Sequence, residues 1–318
     1  MRRSAAAGRP TPAANRFTPA FLLARILGLA AAVIISPLAA AAVAAAGFRF
    51  PFPRIFDRTV MVTLAAAMML FARRLRFVEL VRGGLADSHR PARQWLQGFG
   101  IAIAAMAALF ALAIIAAGAH PAAMPVLIRA MRFAGPAILI GIIEEGFFRA
   151  FLLGGMARDF GRGAALLASS AFFALVHLMR SPAHFYLTGI HPAAGLDDLG
   201  ASAARLIHPG NLIPMVFGLF LLGIVLGEAF LLTGRVWVSA GIHAGVVIGA
   251  KTWPVIAHAG ARPPRWLAGP GPVPLIAAPT AWIAAAMMAL LLFLLFRPSR
   301  AREAQASYIG GRPRGRVR

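Results

Sequence analysis

Hydrophobic positions along the chain form long uninterrupted runs, unlike the alternating or one-sided patterns of soluble strands and helices. A run of about 20 apolar residues is the length that spans the hydrocarbon core of a bilayer. Eight runs of this kind each predict a membrane-spanning helix, near 19–46, 58–75, 95–118, 134–153, 164–181, 211–233, 236–256 and 276–296. The pattern therefore predicts an all-α fold, a polytopic helical bundle with about eight transmembrane helices.

Polar segments rich in Gly, Pro and Arg flank the predicted bundle. Segments of this composition bury too little apolar surface to offset the entropy of ordering, so they stay disordered. We therefore predict a disordered basic tail at 1–18, a transmembrane bundle at 19–296 and a second disordered basic tail at 297–318.

Composition supports a membrane protein. The chain is 60% hydrophobic and 13% charged, with a mean hydropathy of +0.76, whereas a soluble domain has about 25% charged residues. It contains no cysteine, which excludes a cysteine nucleophile and thiolate metal sites.

The formal charge of +22 has the sign of a nucleic-acid-binding protein. Most basic residues, however, lie in the tails and in short loops between apolar runs, which is a topology signal. With both termini in the cytoplasm, the cytoplasmic side carries about twice as many basic residues as the other side. We expect a multi-pass cell-membrane protein with cytoplasmic termini, in contact with the lipid bilayer and without a nucleic-acid partner.

Three charged residues interrupt the run at 134–153. Glu144, Glu145 and Arg149 lie in its middle, where a charge costs about 2.5–3.5 kcal/mol by insertion scales. Glu145 and Arg149 are four residues apart in the favourable acid-before-base order, so they can form an ion pair. Glu144 lies about 100° around the helix and lacks a partner within it.

Two histidines in other spans are candidates to meet Glu144. His177 ends the apolar run at 164–181, and His243 lies within the run at 236–256. At about 1.5 Å rise per residue, Glu144, His177 and His243 lie roughly 14, 18 and 10 Å from the cytoplasmic helix ends, which predicts one shared layer. A carboxylate and two imidazoles in a wet cavity can activate water, because the carboxylate accepts a proton and a histidine orients or donates.

These residues resemble a known family. EEGFFR at 144–149 matches the EExxxR motif of the CAAX-protease and bacteriocin-processing family of intramembrane glutamic endopeptidases, FALVH at 173–177 matches its FxxxH motif, and HAGVV at 243–247 occupies the place of its HxxxN motif. The resemblance covers about residues 134–256, the expected catalytic core, with the motifs in the family's order.

The resemblance implies hydrolysis of a peptide bond in a membrane-associated protein or peptide, without a cofactor. Carried over by position, Glu144 and His177 activate the attacking water, and His243 helps to stabilise the oxyanion. Glu145 and Arg149 brace the site and contribute to substrate binding. Prenylated Cys-a-a-X tails are substrates of some members, and peptides or membrane proteins are substrates of others.

The sequence departs from the family pattern at Val247, where many members have Asn. Valine cannot donate a hydrogen bond, and losing one oxyanion donor can cost about 10²–10³ in turnover. This departure favours an alternative function: a catalytically weak or inactive scaffold, or an immunity-type protein that binds a partner through the same cavity. A transporter is a third interpretation, but the repeats expected of many transporters are absent from the sequence.

Two further alternatives concern the residues themselves. Glu144, His177 and His243 together would suit a catalytic zinc, which takes three N or O ligands and a water. Each candidate residue also has a purely structural interpretation, as a buried pair or an interhelical hydrogen bond, and Phe173 is expected to pack in the core whatever the function.

Overall fold

The computed structural model describes residues 17–86, 90–118, 120–178, 184–187, 189–207, 212–259, 264–269 and 275–296. All regular secondary structure in these ranges is helical, which confirms the all-α fold. Apart from Phe17 and Thr18, which begin the first helix, the two predicted tails lie outside the described residues, so their disorder stays a prediction.

Twelve α-helices follow one another in the described residues, with a π-helical segment, Gly146–Leu153, between the fifth and sixth and a 3₁₀ turn, Leu275–Ala277, before the last. In chain order they are α1 (Phe17–Ala45), α2 (Phe52–Leu70), α3 (Phe77–Leu85), α4 (Pro91–Ala117), α5 (Ala123–Glu145), α6 (Gly154–Phe160), α7 (Arg162–Leu178), α8 (Ala194–Ile207), α9 (Ile213–Thr233), α10 (Trp237–Ala257), α11 (Arg265–Ala268) and α12 (Pro279–Leu295). Each of the eight predicted runs corresponds to one of the long helices.

Several helices have the length and apolarity to cross a membrane. Five in the described residues meet both criteria, namely Phe17–Ala45, Pro91–Ala116, Ala123–Phe160, Ile213–Thr233 and Trp237–Ala257. The helices at 162–177 and 279–295 are apolar but shorter. Many large apolar side chains on these helices are exposed, such as Ile34 at 69% and Ile115 at 80%, as expected for surfaces that face lipid.

The predicted start of the fourth run was wrong. The apolar run predicts a start at 134, but α5 begins at Ala123. Arg129 and Arg132 break the apolar run without breaking the helix, because arginine is a good helix former. The helix then continues through the π-helical segment into α6, so that Ala123–Phe160 is one helical stretch of 38 residues.

Glycines bring α10 close to α4. Gly241, Gly245 and Gly249 recur every fourth residue along α10, and a Cβ at any of them would collide with α4. A Cβ at Gly241 would meet the carbonyl oxygen of Trp95, and one at Gly98 of α4 would meet that of Val238. Small residues at this spacing let helix backbones approach in membranes. The close contact fixes the position of α10, which carries His243.

The other side of the bundle encloses the π-helical segment. α1, α3, α7 and α9 pack around it, and every residue from Phe148 to Leu153 is buried. Phe151 makes edge contacts with Phe17 of α1 at 5.1 Å and with Phe77 of α3 at 4.9 Å. Asp159 of α6 accepts hydrogen bonds from the backbone N–H groups that begin α1. These contacts fix the segment that carries Arg149.

Candidate active site

An ion pair joins α5 to the π-helical segment. Glu145 ends α5, Arg149 lies one turn further, and both side chains are fully buried. Arg149 Nε donates to Oε2 of Glu145 at 3.1 Å, so the pair predicted from their spacing is present. The guanidinium also lies 5.1 Å from the centroid of the Phe173 ring. Its two terminal nitrogens have no acceptor among the described residues.

The second oxygen of Glu145 holds His243 of α10. Nδ1 of His243 donates to Oε1 of Glu145 at 2.9 Å in a buried contact. Because the carboxylate accepts, the proton of the neutral ring is on Nδ1 and Nε2 carries the free lone pair. Glu145 therefore fixes both the tautomer and the direction of the His243 ring.

Ser239 is a neighbour of this contact that the sequence analysis missed. It is fully buried one turn before His243, its hydroxyl donates to the carbonyl of Val236 at 2.9 Å, and it lies beside the Glu145 carboxylate. The four-residue spacing from Ser239 to His243 is the signal that could have identified it, because residues at this spacing share a helix face.

The end of α7 orients His177 in the same way. Nδ1 of His177 donates to the carbonyl oxygen of Phe173 at 2.8 Å, which leaves its Nε2 as an acceptor. The Phe173 ring is buried and lies 4.3 Å from the His177 ring and 6.2 Å from the His243 ring, between centroids. Phe148 packs edge-on against Phe173 at 5.1 Å. Phe173 therefore packs between the two histidines and Arg149.

Glu144 lies between the two imidazoles. Its Oε2 is 3.7 Å from Nε2 of His177 and 3.9 Å from Nε2 of His243. Both distances exceed those of a direct hydrogen bond. This oxygen is buried, and no described group donates to it, although the Glu144 side chain as a whole is 30% exposed. The His177 side chain is 31% exposed, so this corner of the site is accessible.

Three hydrogen-bond acceptors thus converge on one point. With both rings neutral, Oε2 of Glu144 and the two Nε2 atoms each present a lone pair and no proton. A buried acceptor without a donor costs about 1–3 kcal/mol. A group with two protons, such as water, satisfies two of the acceptors at once. The arrangement is suited to binding water and to removing a proton from it.

Val247 lies one turn beyond His243 on α10. It is partly buried and packs with an apolar cluster that includes Ala137, Ala244 and Ile248. The side chain at the position of the family's Asn thus makes apolar contacts and brings no donor to the site.

The structure brings together six of the seven candidate residues. Glu144, His177 and His243 surround one point. Glu145, Arg149 and Phe173 contact these residues or one another on the buried side of the site. Val247 lies one turn beyond His243 and packs elsewhere. Among the described residues, no group of three His, Asp or Glu side chains has the geometry to hold a metal ion.

Comparison with known proteins finds a similarity in the central part of the chain. Residues 125–249 match the model of the Rce1-like family, described as type II CAAX prenyl endopeptidase. No curated protein and no solved structure matches the chain. The matched range begins in α5, ends in α10 and contains every candidate residue described above. The chain is therefore a multi-pass membrane protein whose residues 125–249 are similar to the Rce1-like family of type II CAAX prenyl endopeptidases.

Proposed function

We propose that the protein is an intramembrane endopeptidase of the glutamic type, in which Glu144 and His177 activate the water that attacks the peptide bond. The observation that carries this proposal is the buried Oε2 of Glu144, which has no donor among the described residues and lies 3.7 and 3.9 Å from two imidazole nitrogens. The family similarity supports peptide hydrolysis.

The proposed reaction proceeds by general base catalysis. Glu144 accepts a proton from water while the water oxygen bonds to the scissile carbonyl carbon, and His177 orients that water through Nε2. The carbonyl electron pair moves onto its oxygen. When the tetrahedral intermediate collapses, the C–N bond breaks and the proton on Glu144 passes to the leaving amine.

His243 and its partners support the developing negative charge. In this proposal Nε2 of His243 takes up a proton from solvent before the attack and donates a hydrogen bond to the oxyanion, and Glu145 stabilises the imidazolium through its contact with Nδ1 at 2.9 Å. The proton returns to solvent when the intermediate collapses. Arg149 holds Glu145 in place through its hydrogen bond to Oε2. Glu145, Arg149 and Phe173 are thus positioning residues in this proposal.

The substrate is a membrane-associated peptide or protein, and the family name makes a prenylated CAAX tail the first one to test. Both termini of the enzyme face the cytoplasm in this proposal, on the basis of the distribution of arginines. A zinc-dependent version would use Glu144, His177 and His243 as ligands.

Val247 favours a second candidate function, a scaffold or immunity-type protein that binds a partner through the same site without cleaving it. Apolar contacts at this position leave the oxyanion one donor short of the family pattern. In that case Glu144→Gln would leave the biological effect of the protein intact.

The test compares new peptide termini, by mass spectrometry, in membranes that express wild type, Glu144→Gln or Glu228→Gln at matched levels. Glu228 is a partly buried carboxylate in α9 outside the site, so its substitution controls for the loss of an intramembrane charge. We expect a set of termini that wild type and Glu228→Gln share and Glu144→Gln lacks. Identical termini in all three membranes would exclude the peptidase and favour the scaffold.

A further inference from the structure

Two adjoining cavities lie between the end of α1 and the beginning of α2. The larger has a volume of about 880 Å³ and the smaller about 500 Å³. Val43, Phe50 and Ile55 belong to the walls of both, so the two form one groove, called here the α1–α2 groove. None of the seven candidate residues of the active site lines either cavity. The groove is therefore a feature separate from the proposed chemistry.

The walls of the smaller cavity are almost entirely apolar. Ile35, Ala39 and Val43 line it from α1 at intervals of four residues, so they form one strip about 12 Å long. Thr59 and Thr63 line it from α2, and their hydroxyls donate to carbonyl oxygens one turn earlier in the same helix, at 3.0 and 2.9 Å. The strip therefore offers hydrocarbon contacts along two helical turns.

Three arginines surround one end of the groove. Arg49 lines the larger cavity, and Arg54 and Arg58 line the smaller one. All three are exposed, and within the described ranges none of them forms an ion pair. The Arg54 guanidinium lies 5.2 Å from the centroid of the Phe50 ring, and Nη1 of Arg58 contacts the sulfur of Met61 at 3.4 Å. Positive charge and hydrogen-bond donors are thus concentrated where the apolar strip ends.

This end of the groove lies near a membrane surface. α1 is long enough to cross a bilayer and ends at Ala45, and α2 begins at Phe52. Arg54 and Arg58 belong to the first two turns of α2, a position from which arginine reaches the lipid headgroups. Asp57 lies between them in the sequence and is exposed, but it does not line the groove. The apolar strip therefore extends from headgroup level into the hydrocarbon layer.

We propose that the α1–α2 groove binds an anionic glycerophospholipid. Arg54 and Arg58 hold its phosphate, one acyl chain lies along the strip from Ile35 to Val43, and the rest of the headgroup occupies the larger cavity beside Arg49. An arginine presents two parallel donors that match phosphate oxygens, and basic pockets between membrane helices bind lipid headgroups. The proposed lipid site does not depend on the peptidase reaction.

The shape and chemistry of the groove favour a lipid over other anions. A free phosphate would use the arginines and leave the apolar strip without a ligand. An acidic peptide would bring backbone N–H and C=O groups against that strip, where they would lose their hydrogen bonds to water without replacement. A lipid uses both parts of the groove, because one molecule combines a phosphate with a hydrocarbon chain.

Binding should stabilise the pairing of the two helices. α2 packs mainly against α1, and the helices are close, since a Cβ at Gly28 of α1 would lie 2.8 Å from Cδ2 of Leu64 of α2. A lipid in the groove contacts both helices in the folded protein. A ligand that binds the folded state alone raises the midpoint of unfolding.

The experiment uses the purified full-length protein in a non-ionic detergent. Native mass spectrometry measures the Kd of dioleoylphosphatidylglycerol and of dioleoylphosphatidylcholine, which share acyl chains and differ in headgroup charge. Thermal unfolding is followed with each lipid, with inorganic phosphate and with hexaglutamate. Arg54→Gln and Arg58→Gln remove the proposed phosphate contacts, and Ala39→Phe fills the strip. Arg132→Gln, on the exposed face of α5, and Ala42→Phe, at an exposed position of α1 outside the groove, are the matched controls.

We expect wild type to bind phosphatidylglycerol about 10- to 100-fold more tightly than phosphatidylcholine, as for a charge-assisted hydrogen bond. Phosphatidylglycerol should also raise the unfolding midpoint. Arg54→Gln and Arg58→Gln should each reduce the preference, and Ale-independent binding should not replace it, whereas Arg132→Gln should keep it. Ala39→Phe should weaken binding of both lipids, and Ala42→Phe should bind them as wild type does.

Four results would overturn the proposal. These are equal affinities of wild type for the two lipids, a preference that survives both glutamine substitutions, equal lipid binding by Ala39→Phe and Ala42→Phe, and a rise in midpoint with phosphate or hexaglutamate as large as that with phosphatidylglycerol. The last result would identify a site for a free anion or an acidic peptide. If Ala39→Phe does not fold, the exposed arginine substitutions decide the question.

Discussion

His243 and Glu145 lie 98 positions apart in the sequence, yet Nδ1 of the imidazole donates to Oε1 of the carboxylate at 2.9 Å in a buried contact. This hydrogen bond joins α10 to the end of α5. It also directs Nε2 of His243 toward Glu144, 3.9 Å away. The two adjacent glutamates thus differ in environment. Glu145 is buried, and each of its oxygens has a partner. Glu144 is partly exposed, and its Oε2 faces the Nε2 atoms of His177 and His243.

Glu145→Gln should destabilise the protein, whereas Glu144→Gln should not. Glu145 and Arg149 are fully buried, and breaking a buried pair by removing one partner costs about 3–5 kcal/mol because the other charge stays buried. Glu144 is partly exposed and has no direct hydrogen-bond donor among the described residues. Thermal unfolding in detergent should therefore give a lower midpoint for Glu145→Gln and an unchanged one for Glu144→Gln. Equal midpoints for all three proteins would contradict the structural assignment of Glu145.

Much of this fold was predictable because one physical requirement dominates it. Each long apolar run must form a helix to satisfy its backbone in lipid, so the eight runs correspond to helices in the structure. The Glu145–Arg149 pair was predictable from local spacing. The convergence of Glu144, His177 and His243 followed from their similar depths, because helices in a bundle meet their neighbours at the same level of the bilayer.

The remaining features depend on contacts that the sequence does not display. The π-helical segment leaves no periodic trace, since residues from Phe148 to Leu153 are buried on every side and all positions are apolar except Arg149. The early start of α5 was hidden because Arg129 and Arg132 lower the local hydropathy within a helix. The partner of His243 was not predictable, because a pairing across 98 positions is set by the packing of α10 against α5.

Gly241→Ala should reduce both stability and turnover. A Cβ at Gly241 would collide with the backbone carbonyl of Trp95, so α10 would have to move away from α4. Overpacking of this kind costs about 1–3 kcal/mol. His243 lies two residues further along α10, and a shift of about 1 Å in a catalytic group can cost about 10²-fold in rate.

Gly135→Ala is the matched control for this substitution. Gly135 lies within α5 and has nothing within 4 Å of a built Cβ, and alanine is the better helix former by about 0.5–1 kcal/mol. Unfolding midpoint and kcat should therefore be unchanged or slightly higher. Equal effects of Gly135→Ala and Gly241→Ala would show that the close approach of α4 and α10 does not position the site.

Removal of metal ions should leave peptide cleavage unchanged. The proposed chemistry needs acceptors for a water proton at Glu144 and His177. Both are side-chain atoms of the protein, and Phe173 holds the His177 ring in place. The measurement is kcat of purified enzyme before and after dialysis against a strong chelator, with added zinc as the third condition. Activity that is lost on dialysis and restored by zinc would instead support the version in which Glu144, His177 and His243 are ligands.

Val247→Asn should raise turnover if the protein is a weak peptidase. The side chain at this position lies one turn after His243 and now packs with Ala137, Ala244 and Ile248. An amide there could donate to the oxyanion, and one such donor is worth about 10²–10³ in kcat. The gain would come with some loss of stability, because the amide would replace an apolar side chain in an apolar cluster.

Val247→Ala separates the donor from the change in volume. It removes the same apolar contacts and brings no donor, so its kcat should stay at the wild-type level while its unfolding midpoint falls. Single-turnover cleavage of a peptide with a prenylated CAAX tail by the three proteins measures the chemical step. If Val247→Asn folds but cleaves no faster than Val247→Ala, the oxyanion obtains its donors elsewhere, and the departure from the family's Asn does not limit catalysis.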